Sequence, residues 1–218
     1  MFVIRTAMNR LTAPSATATA FFVCALAMTG CTSGVLKNGS PGPASQITSL
    51  NPQQARLNEE RILSDRRTIE AVQVRLSKLN EIGVPQNNYS LAKAQCWLDT
   101  AKSQYYENDR TGYIEESLTE AIKITQALEA DKSAKAGFDT PLVARSSLLR
   151  KDLWTQLSAY KNQPVTLVCN AKTVACAEVR LVRAGHANEQ TGWRQATPWV
   201  QMVEDALTQA KTEADRCV

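Results

Sequence analysis

The sequence predicts an all-α fold: a bundle of five or six helices, built from helical hairpins, with no β-sheet. Two observations support this prediction. Apolar residues recur at three- and four-residue spacings over most of the chain beyond residue 50, and clusters of Gly, Pro, Asn and Asp separate these stretches. With 218 residues, 44% hydrophobic and 21% charged, the composition is that of an ordinary folded domain.

Residues 1–30 are predicted to be a bacterial export signal. Arg5 and Arg10 give it a positive start, and residues 16–28 form an apolar run that is too short for a membrane-spanning helix. The run ends in Met28-Thr29-Gly30-Cys31, which resembles the lipobox of bacterial lipoproteins. That resemblance implies cleavage before Cys31 and acylation of Cys31. The alternative is a plain signal peptide or an uncleaved anchor with an incidental cysteine.

Residues 31–50 follow as the lipidated cysteine and a flexible tether, because Gly, Ser, Pro and Asn dominate residues 32–46. Thr32, rather than Asp, comes after Cys31, which favours the outer membrane over the inner one. We therefore expect a membrane anchor at Cys31 that holds a periplasm-facing helical domain, residues 51–218.

The first helix is predicted to open at Asn51-Pro52, with Thr48 or Asn51 as its cap, to run to about Leu79 and to stop at Gly83-Val84-Pro85. Its apolar residues recur every seven positions and at the offset positions: Ala55, Ile62, Ile69, Val72, Leu76 and Leu79. This seam packs either on its own domain or, as a coiled coil, on another chain. Asn58 and Asp65 interrupt the seam and weaken the second interpretation.

A helical hairpin comes next, with one helix from Ser90 to Tyr105, a turn at residues 108–112, and a second helix over residues 114–128. Its length and the residues Trp97, Tyr105 and Ala121 give it a weak resemblance to a single tetratricopeptide unit. A plain helical hairpin describes it better, because no second copy follows at that period.

Three more helices complete the prediction. One covers residues 149–160 after a cap at Thr140-Pro141, one runs from Thr173 through His186, and the last begins at Thr197-Pro198 and buries a stripe ending at Ala214. Residues 165–168 are largely β-branched and indicate a short extended piece.

Four cysteines remain after the leader and Cys31, and an even number in an exported chain favours two disulfides. Three pairings are open, and Cys96–Cys217 with Cys169–Cys176 is the preferred one. That pairing needs a break near Asn170, because residues seven apart on one helix lie roughly 10 Å apart.

The composition excludes several functions. Without Arg5 and Arg10, 23 Lys and Arg face 21 Asp and Glu, a formal charge of +2, so no nucleic-acid partner is expected. A single His and the absence of a CxxC motif argue against a metal site, and nine glycines without a Gly-rich loop argue against a nucleotide cofactor.

Few residues are candidates for recognition. Asp109-Arg110 lies in the hairpin turn, where capping and turn chemistry is the competing explanation. His186 lies on an apolar face beside Gly185, which permits a close contact, and we expect a hydrogen-bonded, partly buried imidazole there. Trp193 belongs to a set of four tryptophans, with Trp97, Trp154 and Trp199, that either line a pocket or pack in the core.

Two segments make the chain look familiar: residues 91–99 (LAKAQCWLD) and residues 107–112 (ENDRTG). They resemble the N-terminal helical region of OmpA-family envelope lipoproteins, and the likeness continues through residues 178–186 (EVRLVRAGH) and Gly192-Trp193-Arg194. This resemblance implies a helical fold and an outer-membrane location. Those relatives grip peptidoglycan through a C-terminal domain, but no βαβ pattern follows here, so direct peptidoglycan binding is not expected.

The function expected from the sequence is therefore non-enzymatic. It is an envelope scaffold or protein-interaction module, with an unidentified envelope protein as partner and no cofactor. The alternative is a lipoprotein that binds a small molecule or glycan in a Trp-lined cleft.

Overall fold

The computed structural model describes residues 43–217, so Cys31, the leader and most of the tether lie outside the described residues. Within that range no strand occurs, and the all-α prediction is confirmed. The seven α-helices are α1 (Pro43–Thr48), α2 (Glu59–Glu81), α3 (Tyr89–Tyr106), α4 (Tyr113–Ala130), α5 (Lys151–Lys161), α6 (Pro164–Thr191) and α7 (Trp193–Asp215). Two 3-10 turns, Gln53–Ala55 and Val143–Arg145, lie in the connections.

The folded part begins earlier than the sequence predicts. Residues 43–48 are helical, α1 packs on α4, and both Thr48 and Leu50 are buried. The tether predicted to reach residue 50 therefore extends too far toward the domain. The stretch is polar in composition, but Leu50 provides an apolar side chain that the core covers.

Helix α2 begins seven residues later than predicted, at Glu59. Asn58 caps it, because its side-chain oxygen accepts the Arg61 backbone N–H at 3.0 Å. The predicted seam is buried from Ile69 to Leu79, where α2 packs against α3 and α4. The apolar seam of α2 therefore packs on its own domain, which is the first of the two interpretations given above.

Asp65, which interrupts the seam, is a buried anchor. It is completely inaccessible to solvent, and it accepts hydrogen bonds from the backbone N–H of Asn51 at 2.8 Å, Arg56 Nε at 3.1 Å and the Tyr105 hydroxyl at 3.2 Å. Arg56 also pairs with Glu115 of α4. This cluster fixes the segment before α2 against α3 and α4, which explains why a carboxylate stands in an apolar stripe.

Helices α3 and α4 form the predicted hairpin. Asn88 rather than Ser90 caps α3, accepting the Leu91 backbone N–H at 2.9 Å. Trp97 and Ala101 of α3 and Leu118 and Ala121 of α4 are fully buried in a core shared with α2. Gly112 has a φ of 87°, a left-handed conformation that suits glycine and lets the turn enter α4 directly.

The second half of the chain contains one long helical hairpin, α6 and α7, with α5 packed against both. Gly192 alone separates the two helices, with a φ of 88°. Pro164 occupies the first turn of α6, so residues 165–168 are helical and the extended piece predicted there is wrong. Helix α7 begins at Trp193, and Pro198 lies inside it rather than at its cap.

The disulfides pair differently from the preferred prediction. Cys96 of α3 bonds Cys176 of α6, with Cα atoms 5.4 Å apart, and Cys169 of α6 bonds Cys217, with Cα atoms 6.1 Å apart. The predicted Cys169–Cys176 bond requires a break near Asn170, but α6 is continuous there. Asn170 is buried and its amide donates to the Ala210 carbonyl of α7 at 3.3 Å.

Gly185 permits a close approach, as expected, but the neighbour is a loop rather than a helix. A Cβ at this position would lie 2.1 Å from the carbonyl oxygen of Ser147. The Ser147 hydroxyl donates to the Gly185 carbonyl at 3.1 Å. The connection between the 3-10 turn Val143–Arg145 and α5 is thereby held against the C-terminal part of α6.

Candidate functional site

Two of the predicted recognition residues meet in the structure. Asp109, in the turn between α3 and α4, has its Oδ2 2.6 Å from Nε2 of His186 on α6. The other carboxylate oxygen accepts the backbone N–H and the hydroxyl of Thr111. The imidazole is fully buried and stacks on the Tyr113 ring, with centroids 4.0 Å apart. His186 is thus the hydrogen-bonded histidine that the sequence indicates, more deeply buried than expected.

The Asp109 carboxylate is the ionised partner of this pair. Burial alone would raise its pKa, but the hydrogen bonds from His186 and Thr111 outweigh burial and lower the pKa to about 2. An acceptor-only carboxylate requires a proton on Nε2, so that ring nitrogen donates. Arg110, next to Asp109, is exposed and forms no ion pair with any residue in the range 43–217.

A groove of about 210 Å³ lies close to this pair, between α3, α6 and α7. Its α6 wall carries Val179, Arg180 and Arg183 at helical spacing, and Trp199 of α7 faces it. The Cys96–Cys176 disulfide lines it, together with the polar α3 residues Asp99, Thr100 and Ser103.

Arg183 links the groove to the His186 pair. Its guanidinium carbon lies 5.0 Å from the centre of the Trp199 ring and 5.9 Å from that of Tyr113, the ring that stacks on His186. One terminal nitrogen donates to Glu107 at 3.0 Å, while Nε is buried and has no acceptor among the described residues. Arg183 and Tyr113 therefore connect the groove to the buried His186–Asp109 pair through direct side-chain contacts.

The four tryptophans do not share a cleft in the described part of the chain. Trp97 is fully buried and Trp154 packs against both hydrophobic clusters of the bundle. Trp193, a predicted recognition residue, starts α7 and is 51% exposed. Only Trp199 lines the groove, so any recognition there depends on one indole beside two arginines.

A second groove, of about 270 Å³, lies between α2 and α3. Arg66 and Arg67 of α2 line it with Lys102 and Tyr106 of α3, and the Arg66 guanidinium carbon lies 5.4 Å from the Tyr106 ring centre. Lys102 approaches Glu70 at 3.9 Å. This groove has no wall from the second half of the chain, and its aromatic side chains are more exposed.

Sequence reasoning missed a buried ionic cluster in the middle of the bundle. Lys93 of α3 is fully buried, and its ammonium donates to Glu178 of α6 and, at 2.7 Å, to Thr140. Lys161 of α5 donates to the other oxygen of Glu178 at 2.9 Å, and the Tyr89 hydroxyl donates to the same carboxylate as Lys93. One carboxylate therefore joins three helices.

Burial and the neighbouring charges shift the pKa values of Lys93 and Glu178 in this cluster. Burial lowers the pKa of Lys93 from 10.5 to about 8, outweighing the attraction of Glu178, and repulsion from Lys161 acts in the same direction. For Glu178, burial is outweighed by the two ammonium groups, so its pKa falls below the ordinary value. Glu178, between two ammonium groups, therefore stays ionised. The buried Lys93 ammonium loses its proton at a lower pH than an ordinary lysine does.

The signal for this cluster was present in the sequence. Tyr89, Lys93 and Trp97 are spaced four residues apart, so Lys93 lies on the same helix face as two large buried aromatic residues. A lysine on such a face requires a buried carboxylate partner. The charged residue alone does not identify which of the 21 acidic residues supplies it.

Among residues 43–217, no group of three or more His, Cys, Asp or Glu side chains is placed to hold a metal ion. No helix in the same range combines the length and apolar character needed to cross a membrane. Comparison with protein-family models, curated proteins and solved structures finds no match to this chain.

Proposed function

We propose that this protein is a lipid-anchored lipoprotein of the bacterial outer membrane, with a periplasm-facing helical domain that serves as a non-enzymatic scaffold or interaction module. The lipobox-like Met28-Thr29-Gly30-Cys31 motif is the basis for the anchor. The resemblance of residues 85–217 to the helical region of OmpA-family lipoproteins is the basis for the location.

The observation that most strongly supports export is the state of the cysteines. All four cysteines of the helical domain are joined in two disulfides, Cys96–Cys176 and Cys169–Cys217. Disulfides form and persist in the oxidising periplasm and are rare in the cytosol. Cys31 has no place in this pairing, which is consistent with a separate role as the acylated residue.

The buried ionisable groups favour a structural role over a catalytic one. Lys93, Glu178 and Lys161 satisfy one another and connect three helices, and Asp65 and Arg56 do the same at the start of α2. Groups paired in this way hold helices in position. The proposed scaffold would present a rigid surface to an envelope protein rather than a reactive group.

The test is metabolic labelling with an alkyne-tagged palmitate in the native bacterium, followed by separation of the two membranes on a density gradient. We expect the label on the wild-type chain in the outer-membrane fraction and none on Cys31→Ser. Cys24→Ser, which changes the other cysteine of the leader, is the matched control and should label like the wild type. Unlabelled wild-type protein, or protein in the cytosolic fraction, would refute the anchor.

The interaction role is tested separately, by photo-crosslinking in living cells from an exposed site, Val74 on α2. A discrete cross-linked band that persists across growth conditions supports the role. The absence of any specific cross-link from Val74 and from a second exposed site, Met202 on α7, counts against it.

A further inference from the structure

We propose that the groove between α3, α6 and α7 binds a small aromatic carboxylate. The groove of about 210 Å³ is smaller than the roughly 300–1,000 Å³ of sites for drug-sized ligands, so its occupant is a compact molecule. This inference stands apart from the lipid anchor, because it rests only on residues of the helical domain.

The charges of the groove favour an anion. Arg180 lines it, is half-buried, and forms no hydrogen bond or ion pair with any described residue. Arg183 has a single carboxylate partner, Glu107, whose side chain is 51% exposed. The lining contains one carboxylate, Asp99, against the two guanidinium groups, and it accepts a hydrogen bond from the Gln95 amide at 2.8 Å. Two guanidinium groups therefore face fewer carboxylates than they can bind.

Geometry favours an anion that offers two oxygens to one guanidinium, as a carboxylate does. The planar fork of a guanidinium matches the two oxygens of a carboxylate with parallel hydrogen bonds. Arg180 and Arg183 are three residues apart on α6, so they project from the same face of the helix. Thr100 adds a hydroxyl group on the opposite wall that is able to donate to an anionic oxygen, whereas the Ser103 hydroxyl already donates to Glu107 at 2.8 Å.

The remaining lining favours a planar, apolar body on that carboxylate. Trp199 offers an indole face, Arg183 already lies 5.0 Å from its centre, and Val179 and the Cys96–Cys176 disulfide supply apolar surface. Aromatic rings pack on such a face in offset or edge-on arrangements. An anion without a ring would leave this apolar surface uncovered.

The experiment is isothermal titration of the full chain in a non-ionic detergent, with phthalate as the probe and Trp fluorescence as the second readout. Inorganic phosphate tests charge without a ring, and benzamide tests a ring without charge. We expect saturable phthalate binding at one site and at least tenfold weaker binding of the other two compounds. Phthalate that binds no more tightly than phosphate, or no saturable binding of phthalate, overturns the proposal.

Variants locate the site. Arg180→Gln should weaken phthalate binding about tenfold, and it removes no contact that holds the fold. Arg183→Lys keeps the charge but loses the planar fork and its contact with the Trp199 ring, so it should weaken the binding of phthalate. Arg194→Gln, at an exposed position of α7, is the matched control and should bind like the wild type. Unchanged phthalate affinity in Arg180→Gln, with a wild-type near-ultraviolet circular dichroism spectrum, would also overturn the proposal.

Discussion

The buried Lys93–Glu178 pair allows a quantitative prediction about stability. The test uses three variants: the single substitutions Lys93→Met and Glu178→Met, and the double variant that carries both. Methionine is chosen because it is unbranched, apolar and adaptable, so it fills the space left by either side chain. The ion pair is fully buried, with side-chain exposures of 0% and 2%.

The two single substitutions should differ in cost because they leave different groups behind. Removing one partner of a buried pair costs about 3–5 kcal/mol. After Lys93→Met, Glu178 keeps Lys161 at 2.9 Å and the hydroxyl groups of Tyr89 and Thr140, so we expect the lower end, about 3 kcal/mol. After Glu178→Met, both ammonium groups lose their carboxylate, and we expect about 5 kcal/mol.

The double variant should then be less destabilised than the sum of the singles. With both charges removed, the partly exposed Lys161 ammonium is the one group of the cluster left without its carboxylate, and we expect a total cost of about 4 kcal/mol, which corresponds to a coupling of about 4 kcal/mol. The assay is urea unfolding with the disulfides intact, followed by circular dichroism. The exposed pair Lys211–Asp215 provides the control cycle, in which the costs of the two substitutions should be nearly additive.

Additive costs would refute this reasoning. If the double variant loses as much stability as both singles together, Lys93 and Glu178 contribute independently and the carboxylate does not join the helices. A Glu178→Met cost below that of Lys93→Met would also contradict the argument, because it would mean that the lysines do not depend on Glu178.

Three further predictions follow from other contacts. Raising the pH from 8 to 10 should increase the free energy of unfolding, measured by urea titration, by about 2 kcal/mol. The reason is that the pKa of Lys93 is lowered to about 8 in the folded chain, so the unfolded chain binds more protons than the folded chain in this pH window. Lys93→Met should abolish the increase. Gly185→Ala should cost about 1–3 kcal/mol and lower the melting temperature, because its Cβ would overlap the Ser147 carbonyl, whereas Ala71→Gly, at an exposed position of α2, tests helix propensity alone. Asp109→Asn should cost about 1–2 kcal/mol at pH 7, and the difference from wild type should shrink as the pH falls from about 4 toward 2, because the carboxylate of the unfolded chain takes up a proton before that of the folded chain. An undiminished difference at low pH would contradict the assignment of Asp109 as the ionised partner.

The helices themselves could be predicted well from spacing alone. The stripes through Ile69–Leu79, through Leu98 and Ala101, and through Val203 and Ala210 are all buried, because a 3.6-residue period reports which face of a helix meets the core. Helix ends were less predictable. Asn51 was a plausible cap for α2, but its backbone and side-chain amides bind Asp65 instead, and Asn58 takes the capping role.

The disulfide pairing and the polar clusters depend on contacts distant in sequence, so local patterns did not reveal them. The pairing of Cys96 with Cys176 follows from the packing of α3 on α6, which no spacing rule predicts. Similarly, Asp109 and His186 were each identified as candidates, but their contact spans 77 residues. The groove is not predictable from spacing either, because Arg180 and Arg183 line it only once α3 and α7 are placed around them.

The placement of the Cys96–Cys176 bond has a consequence for proteolytic damage. The longest connection between helices, residues 131–150, lies between these two cysteines in the chain. A protease that cuts this connection produces two fragments, but the sulfur bridge still holds them together covalently. The nicked protein would therefore run as one species without reductant and as two with it, and the half carrying α5–α7 would stay joined to the N-terminal half until a thiol released it.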